Sequence, residues 1–228
     1  MISENIYKYN DPIFTEIAEK TSVKIIIKFI SSYITELPNI CNKKKIVDED
    51  SITQELIILL NRKKYKYDYP FYFHPQFIQE ENHKRKIDFG TILTDGYSDS
   101  NSIFDIECKR LPTPGFGREK EYVQKEEEGK GHHIKESGAM ARFKKSIYSK
   151  NLLLCSIIGY VQKDNFKKWF DRINNWIIDF SGIENSIWNN EDTLYEFTEN
   201  DKVAFCLSNN QRQDKSKIKI HHIWIMMN

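Results

Sequence analysis

A nearly continuous apolar run from Leu152 to Val161 is the feature of this chain that most constrains its fold. A strand with one solvated face alternates apolar and polar residues, whereas this run carries apolar or small residues at both alternating positions. Such a strand needs a covering layer on each face, which helices supply in α/β proteins. We therefore predict a mixed sheet with helices packed on both sides.

Helical apolar stripes, alternating apolar runs and turn residues predict the elements around this strand, in a mixed α/β order. We expect helices at Asp11-Pro12 to about Glu36 (ended by Leu37-Pro38), about Ser51 to Arg62, about Ile134 to Lys150, and Phe166 to Phe180. We expect strands from Tyr69, at Lys86–Ile92, Ile103–Arg110, Leu152–Val161, Val203–Leu207 and Ile218–Met226. Residues 115–133 are rich in glycine and charge and are expected to form an exposed excursion.

Length and composition are those of a globular protein with one domain. The chain has 228 residues, of which 39% are hydrophobic and 29% charged. We expect a single domain with its core at about residues 50–161, an N-terminal helical extension over 1–49, and a C-terminal helix and strands over 162–228. Lys plus Arg (34) and Asp plus Glu (33) nearly balance, so any surface that binds nucleic acid must be local.

The sequence shows no membrane or redox pattern. The apolar run from Val23 to Ile30 is broken by Lys24 and Lys28, and the N-terminal residues lack the apolar segment of a signal peptide. The four cysteines form no Cys-x-x-Cys pair, which argues against a zinc knuckle or a disulfide framework. We expect a cytoplasmic, reduced protein that has no membrane partner.

Asp88 and the triplet Glu107-Cys108-Lys109 carry the clearest chemical signal. Strand side chains alternate between faces, so Glu107 and Lys109 share one face, and Asp88 lies on the face opposite Ile87 and Phe89. The short connection between the two strands favours their pairing, which would set Asp88 beside Glu107. Two carboxylates suit Mg²⁺ or Mn²⁺, and a lysine beside them can stabilise charge on a phosphate. The alternative is that these residues form solvated faces of ordinary amphipathic strands.

Glu55 is a third acidic candidate. It lies three residues after Ile52 and four before Leu59, within the apolar stripe of its helix. A carboxylate that faces inward needs a partner, and a metal ion would be one. A lysine partner or a position at the rim of the core would explain Glu55 equally well.

Together these residues resemble the PD-(D/E)XK nuclease superfamily, which has the restriction-endonuclease-like fold. The resemblance is carried by Glu55, by Lys86–Gly90 and by Phe104–Leu111, together with the order helix, three strands, helix, strand over about residues 50–161. Ile87 stands where many members of the superfamily have proline before the aspartate.

The resemblance implies an αβββαβ core with a mixed sheet flanked by helices, and an Mg²⁺-dependent endonuclease in which Mn²⁺ can substitute. It implies that Asp88 and Glu107 are metal ligands, with the backbone carbonyl of Cys108 as a further ligand. Lys109 would be the catalytic lysine, and Glu55 would complete the acidic pocket. The expected substrate is nucleic acid, DNA rather than RNA.

Three basic residues near these carboxylates are expected to bind the substrate. Arg142 follows the catalytic strand on a predicted helix, where nucleases of this fold often carry a polar residue toward the substrate. Arg110 directly follows Lys109, and Lys86 precedes Asp88 by two residues. Arginine and lysine are the usual partners of phosphate oxygens. Arg142 could equally be an ordinary surface arginine.

The resemblance also implies a setting in restriction or phage defence, in which a partner protein can be part of the enzyme. Trp169 and Trp176 form an aromatic stripe that is either core or the face of a homodimer. Two other functions remain open from the sequence. One is a non-catalytic interaction or nucleic-acid-binding subunit with the same fold, and the other is a ribonuclease toxin.

Overall fold

The computed structural model describes residues 12–78, 86–94, 101–128 and 134–228. The α-helices are α1 (Pro12–Tyr33), α2 (Leu37–Lys44), α3 (Glu49–Tyr67), α4 (Ala139–Lys144) and α5 (Phe166–Ser181), with 3₁₀ turns at Ile34–Glu36 and Asn190–Asp192. The strands are β1 (Phe71–Ile78), β2 (Lys86–Leu93), β3 (Phe104–Leu111), β4 (Lys125–Glu128), β5 (Ile134–Ser137), β6 (Leu154–Val161), β7 (Tyr195–Glu199), β8 (Val203–Gln211) and β9 (Lys217–Met226).

Seven strands form one mixed sheet in the order β1-β2-β3-β6-β9-β8-β7, and β4 pairs with β5 in a separate hairpin. Strands β3, β6 and β9 run parallel at the centre, while the outer neighbours pair antiparallel. From α3 to β6 the chain follows the expected order of helix, three strands, helix, strand. The β4–β5 hairpin is inserted before α4.

Helices cover both faces of the sheet, as the apolar run of β6 predicts. Ile158 and Tyr160 pack in a first core beneath α1, α2 and α3. Ile157 and Val161, at the alternate positions of the same strand, pack in a second core beneath α4 and α5. The prediction of an α/β sheet with two covered faces is confirmed.

The aromatic stripe of α5 belongs to this second core. Trp169, Ile173 and Ile177 are buried there, and Trp176 packs against it. Of the two alternatives that the sequence left open for this stripe, core packing is the one that the fold shows.

Strand β1 is an edge of the sheet, as Pro75 predicts. Strand β2 beside it changes face near Asp88, so the prediction that Ile87 and Phe89 share one face is wrong. Phe89 packs in the first core and Ile87 in the second. The neighbouring strand is irregular at the same point: Gln76, which falls opposite Asp88 between two regular pairs, has a left-handed backbone with φ of 47°.

The segment between β3 and β6 differs most from the prediction. The helix predicted over Ile134–Lys150 is wrong, because its first four residues pair with β4 and only Ala139–Lys144 is α-helical. The excursion predicted over 115–133 is not wholly exposed, since Tyr122 and Val123 are fully buried. Residues 129–133 of that stretch lie outside the described residues.

Gly138 explains why this segment turns where the sequence suggested a helix. Its φ is 127°, and a Cβ added there would lie 2.7 Å from Gln124 Cα. The Ala139 and Ala141 amides donate to the carbonyls of Glu121 and Val123. The chain therefore crosses the loop before β4 at close range, and α4 begins only after this crossing.

Two N-terminal boundaries also differ from the prediction. Leu37-Pro38 does not end the helical region but begins α2, because proline is tolerated in a first turn. Helix α3 begins at Glu49 rather than Ser51, with the Asp48 side chain accepting the Ser51 amide at 2.9 Å, and it runs to Tyr67 rather than Arg62.

Strand β7 was not predicted, and Asp11, the predicted start of the first helix, lies outside the described residues. Among the helices that the structure describes, none has the length and apolar content needed to cross a bilayer.

His222 lies in a buried hydrogen-bond network that joins β9, β8 and the loop before β4. Trp224 Nε1 donates to the Tyr122 hydroxyl at 2.9 Å, and the same hydroxyl is hydrogen-bonded to His222 Nδ1 at 2.8 Å. His222 Nε2 lies 2.9 Å from Ser208 Oγ. Burial, with a smaller contribution from neighbouring His221, lowers the pKa of His222 to about 3.

We expect acid to destabilise the protein through this histidine. In the unfolded chain His222 takes up a proton near its ordinary pKa of 6.5, whereas in the folded chain it does so only near pH 3. The unfolded state therefore binds more protons between these values, and the free energy of unfolding falls as the pH falls through that window.

Urea unfolding at pH 7.5 and at pH 5 checks this expectation. The loss of stability at pH 5 should be smaller in His222→Gln than in the wild type. The control is His74→Gln, which changes an exposed histidine and should keep the wild-type pH dependence. Equal losses in His222→Gln and in the wild type would contradict the assignment.

Candidate active site

Asp88 and Glu107 lie together where strands β2 and β3 stop pairing. The ladder runs as far as the pair Phe89–Ile106, and one further step of the same register sets Asp88 opposite Glu107. At this step Asp88 Oδ2 accepts a 2.7 Å hydrogen bond from the backbone amide of Cys108. This hydrogen bond from the backbone of β3 holds the Asp88 carboxylate beside Glu107, as predicted.

Glu107 is almost fully buried and only half satisfied. Its Oε1 lies 3.3 Å from Lys109 Nζ and 3.3 Å from Arg142 Nη1. Its Oε2 is buried and has no hydrogen-bond partner among the described residues. A buried carboxylate oxygen without a donor is costly and rare in native proteins.

Lys109 is held by carboxylates from two elements. Its Nζ donates to Glu49 Oε1 at 2.7 Å, in addition to its contact with Glu107. Burial lowers the pKa of Lys109, but the negative charges of Glu107, Glu49 and Asp88 outweigh it and the pKa lies above its ordinary value. Lys109 is therefore a fixed cation inside the site.

Arg142 reaches the same carboxylate from α4. Its Nη1 donates to Glu107 Oε1 and, at 3.0 Å, to the Tyr148 hydroxyl. The guanidinium also lies over the Tyr148 ring, 5.4 Å from its centroid. The side chain keeps 31% of its surface exposed, so it faces both the carboxylate pair and solvent. The structure brings Arg142 into the site although most of the helix predicted around it is absent.

Two acidic residues of this site were not identified from the sequence. Glu49 lies in the first turn of α3, and its Oε2 accepts the Arg110 amide at 2.8 Å while Oε1 accepts Lys109. Glu121 is 9% exposed and binds Arg118 through both oxygens, at 2.6 and 3.0 Å. Burial raises the pKa of Glu121, but Arg118 and the nearby charge of Lys109 outweigh it and the pKa is lowered.

Neither residue had a distinguishing signal in the sequence. Glu49 belongs to an Asp-Glu-Asp run at a helix start, which is sufficiently explained by the helix dipole. Glu121 follows the irregular loop after β3, where no periodicity assigns a face.

The structure does not bring Glu55 or Lys86 into this cluster. Glu55 accepts a 2.6 Å salt bridge from Lys44 of α2, which is the lysine partner that the sequence left open as an alternative. Glu55 follows Glu49 by six residues, and this spacing rotates it to another side of the helix. Lys86 is exposed at the start of β2, and its Nζ lies 3.4 Å from Gln76 Oε1.

Arg110 and Cys108 border the cluster. The Arg110 side chain is half-buried and donates from Nε to Gln162 Oε1 at 2.8 Å, while Gln162 Nε2 donates to the Val47 carbonyl at 3.0 Å. The Cys108 side chain packs in the first core, so only its backbone faces Asp88. That the Cys108 carbonyl binds a metal remains a prediction.

The donor set fits a divalent cation that takes few protein ligands. Burial, and then the charge of Glu107, raise the pKa of Asp88 to about 8. A cation between the two carboxylates would remove this repulsion and satisfy the orphaned Glu107 Oε2. In the described part of the chain, no three His, Cys, Asp or Glu side chains are arranged to hold a metal ion. Mg²⁺ is commonly bound by only one or two protein carboxylates, and water and substrate phosphate complete its coordination shell.

Comparison of the chain with known protein families, with curated proteins and with solved structures finds no match.

Proposed function

We propose that this protein is a metal-dependent nuclease of the PD-(D/E)XK kind, which hydrolyses phosphodiester bonds of nucleic acid, DNA rather than RNA. The observation that carries the proposal is the pair of half-buried Asp88 and buried Glu107 from neighbouring strands, with Lys109 two residues further along β3 and 3.3 Å from Glu107. A structural ion pair would not need a second carboxylate beside it, because that carboxylate adds repulsion.

The topology supports the same proposal. The three strands β1, β2 and β3 pair antiparallel in sequence order. Strand β3 then pairs in parallel with β6 at the centre of the sheet. With α3 before these strands and α4 between β3 and β6, the element order is the one that a restriction-endonuclease-like αβββαβ core would have, and this supports the proposal. The choice of DNA over RNA comes from the resemblance in the sequence.

Asp88 and Glu107 would hold Mg²⁺, with Mn²⁺ able to substitute. The bound ion would supply Lewis acidity toward a phosphate oxygen and would make water a better nucleophile at neutral pH. The protein's own contribution is to hold the two carboxylates side by side, with Glu107 buried and Asp88 half-buried. The Cys108 amide fixes the position of Asp88, and two core layers bury the strands that carry both residues.

Lys109 acts as a cation rather than as a base. Its raised pKa keeps Nζ protonated at neutral pH, so it cannot accept the proton of the attacking water. A fixed ammonium beside the carboxylate pair instead stabilises the negative charge that develops on the phosphate oxygens. Glu49 orients this ammonium, because its Oε1 accepts a 2.7 Å hydrogen bond from Lys109 Nζ.

Arg142 is the basic residue best placed to contact the substrate. It is partly exposed, and its partner oxygen on Glu107 is the one that it shares with Lys109. A cation held by Asp88 and Glu107 would neutralise the carboxylate that Arg142 contacts, and the partly exposed guanidinium would then be available to a phosphate of the nucleic acid. Arg110 and Lys86 lie further from the pair and are proposed as weaker phosphate contacts.

A cleavage assay on plasmid, linear duplex, single-stranded DNA and RNA tests the proposal. We expect the purified protein to cut DNA in Mg²⁺ or Mn²⁺ and to be inactive in EDTA. Cutting of RNA alone would support the ribonuclease alternative. Binding of nucleic acid without cleavage in either metal would contradict the proposal and support a non-catalytic subunit.

A further inference from the structure

Phe116 is a phenylalanine with no cover at all. Its relative exposure is 107%, the highest of the large hydrophobic residues in the described chain. It lies between Gly115 and Gly117, whose φ angles of 109° and 73° are accessible mainly to glycine. This Gly-Phe-Gly turn directs a ring into solvent, although burying the ring elsewhere would stabilise the fold.

The loop that carries Phe116 is anchored close to the candidate active site. It leaves β3 after Leu111, two residues past Lys109, and Thr113 Oγ1 donates back to the Arg110 carbonyl at 3.1 Å. The Arg118 amide closes the turn on the Gly115 carbonyl at 3.3 Å.

The far side of the loop is fixed as well. The Arg118 side chain binds Glu121, whose pKa is lowered in part by the charge of Lys109. Lys120 Nζ lies 5.2 Å from the centroid of the Phe180 ring on α5. Contacts on both sides of the turn therefore fix the base of the loop that carries Phe116, and Phe116 itself follows Lys109 by seven residues along the chain.

We propose that Phe116 stacks on an unpaired base of the nucleic acid whose backbone is cleaved at Asp88 and Glu107. The inference rests on the proposed function and names the kind of substrate that the site takes. Proteins that bind single strands, or open a duplex at one step, use aromatic or apolar side chains for this contact.

An unpaired base is the partner because of the geometry of stacking. Inside a regular duplex both faces of each base are covered by its neighbours. Without paying to separate two stacked bases, one projecting ring can therefore stack only on a base in a single strand, at an end, or at a step that is already opened. The site thus prefers DNA that carries an unpaired base near the scissile phosphate over a continuous duplex.

Binding of fluorescent oligonucleotides, measured by anisotropy at fixed salt with Ca²⁺ in place of Mg²⁺, tests the proposal independently of cleavage. The probes are a single strand, a duplex, and a duplex with one unpaired base. Phe116→Ala should bind the first and third probes at least about five-fold more weakly than the wild type, because a lost base–aromatic stack has this scale. The effect on the continuous duplex should be smaller.

Two variants make the comparison specific. Tyr65→Ala removes another strongly exposed aromatic ring, 86% exposed near the far end of α3, and should bind like the wild type. Phe116→Trp should retain binding, and emission from the added indole should be quenched by the stacked base. Both Phe116 variants should melt at the wild-type temperature, because the ring makes no packing contacts.

Equal binding by Phe116→Ala and Tyr65→Ala would overturn the inference and leave the proposed function standing. Failure of the wild type to bind any probe would overturn both. If the wild type binds without cutting in Mg²⁺ and Phe116→Ala weakens that binding, the nuclease proposal fails while the stacking contact holds.

Discussion

Replacing Lys109 by methionine is expected to lower metal-dependent cleavage by on the order of 10²–10³-fold, the usual effect of removing one preorganised charge that stabilises a transition state. Methionine is unbranched and matches the lysine side chain in length as far as Cε, but it lacks the ammonium. The loss should appear in kcat rather than in KM, because the charge that Lys109 stabilises develops only in the transition state.

The same substitution has a second expected effect, on stability. Without Lys109, three carboxylates remain near one another, and Arg142 is the one cation in direct contact with Glu107 among the described residues. The metal-free variant should therefore melt at a lower temperature than the wild type, and Mg²⁺ should recover most of the difference by neutralising the pair.

Lys63→Met is the matched control for this experiment. Lys63 also pairs with a glutamate, Glu36, at 2.6 Å, but it lies far along α3 from the site. This variant should cleave at the wild-type rate and should not gain extra stability from Mg²⁺. If Lys109→Met, shown to be folded by circular dichroism in Mg²⁺, cleaved at the wild-type rate, Lys109 would have no catalytic role.

Arg212→Met is expected to lower the free energy of unfolding by about 3–5 kcal/mol, as expected when several buried hydrogen bonds to a charged group are lost together. Arg212 is 3% exposed, and its guanidinium donates to four backbone carbonyls in the segment before β6. The acceptors are Ser149 (2.6 Å), Leu152 (2.9 Å), Lys150 (3.2 Å) and Phe143 (3.3 Å).

The effect should reach the active site as well as the fold. The segment that Arg212 holds carries Tyr148, which contacts Arg142, and Ser149, whose hydroxyl donates to buried Asp105 at 2.7 Å. Cleavage by the folded fraction of Arg212→Met should therefore fall, whereas loss of a purely structural contact far from the site would leave it unchanged.

Urea unfolding measures the loss, with Arg172→Met as the control. Arg172 is 45% exposed and pairs with Asp164 at 2.8 Å on the surface of α5, and such pairs contribute at most about 1 kcal/mol. Similar urea midpoints for the two variants would show that the carbonyl contacts of Arg212 do not hold the segment.

The three central residues of the site could be predicted because their arrangement is local. Glu107 and Lys109 share a face through the two-residue period of a strand, and Asp88 comes from the strand joined to theirs by a short connection. Pairing of such neighbours is the simplest outcome for a chain. The structure therefore places Asp88, Glu107 and Lys109 together, as the sequence predicts.

The acidic residue that α3 contributes to the site could not be predicted in the same way. The sequence pointed to Glu55 because it follows the apolar stripe, but the direction of a helical side chain depends on how α2 packs against α3. Lys44 occupies that side, and the residue that reaches Lys109 is Glu49 at the helix start. This choice is made by tertiary packing, which leaves no local pattern.

The segment from the end of β3 to β6 was the hardest part of the fold to predict. Its strand β4 is the charged run Lys125–Glu128, which resembles a solvated loop in sequence. The crossing at Gly138 depends on a close backbone approach to Gln124, a contact between residues fourteen positions apart. Glu121 and Tyr148 lie in this segment, and their contacts with Arg118 and with the predicted Arg142 could be found only in the structure.

Calorimetric titration of Mn²⁺ into the metal-free protein tests the central claim most directly, because it needs neither substrate nor partner. The account predicts saturable binding by the wild type that weakens by about ten-fold or more in Glu107→Gln. Glu55→Gln should bind like the wild type, since the Glu55 carboxylate is paired with Lys44. Absence of binding by the wild type, or equal binding by Glu107→Gln, would contradict the claim that Asp88 and Glu107 form a divalent-cation site.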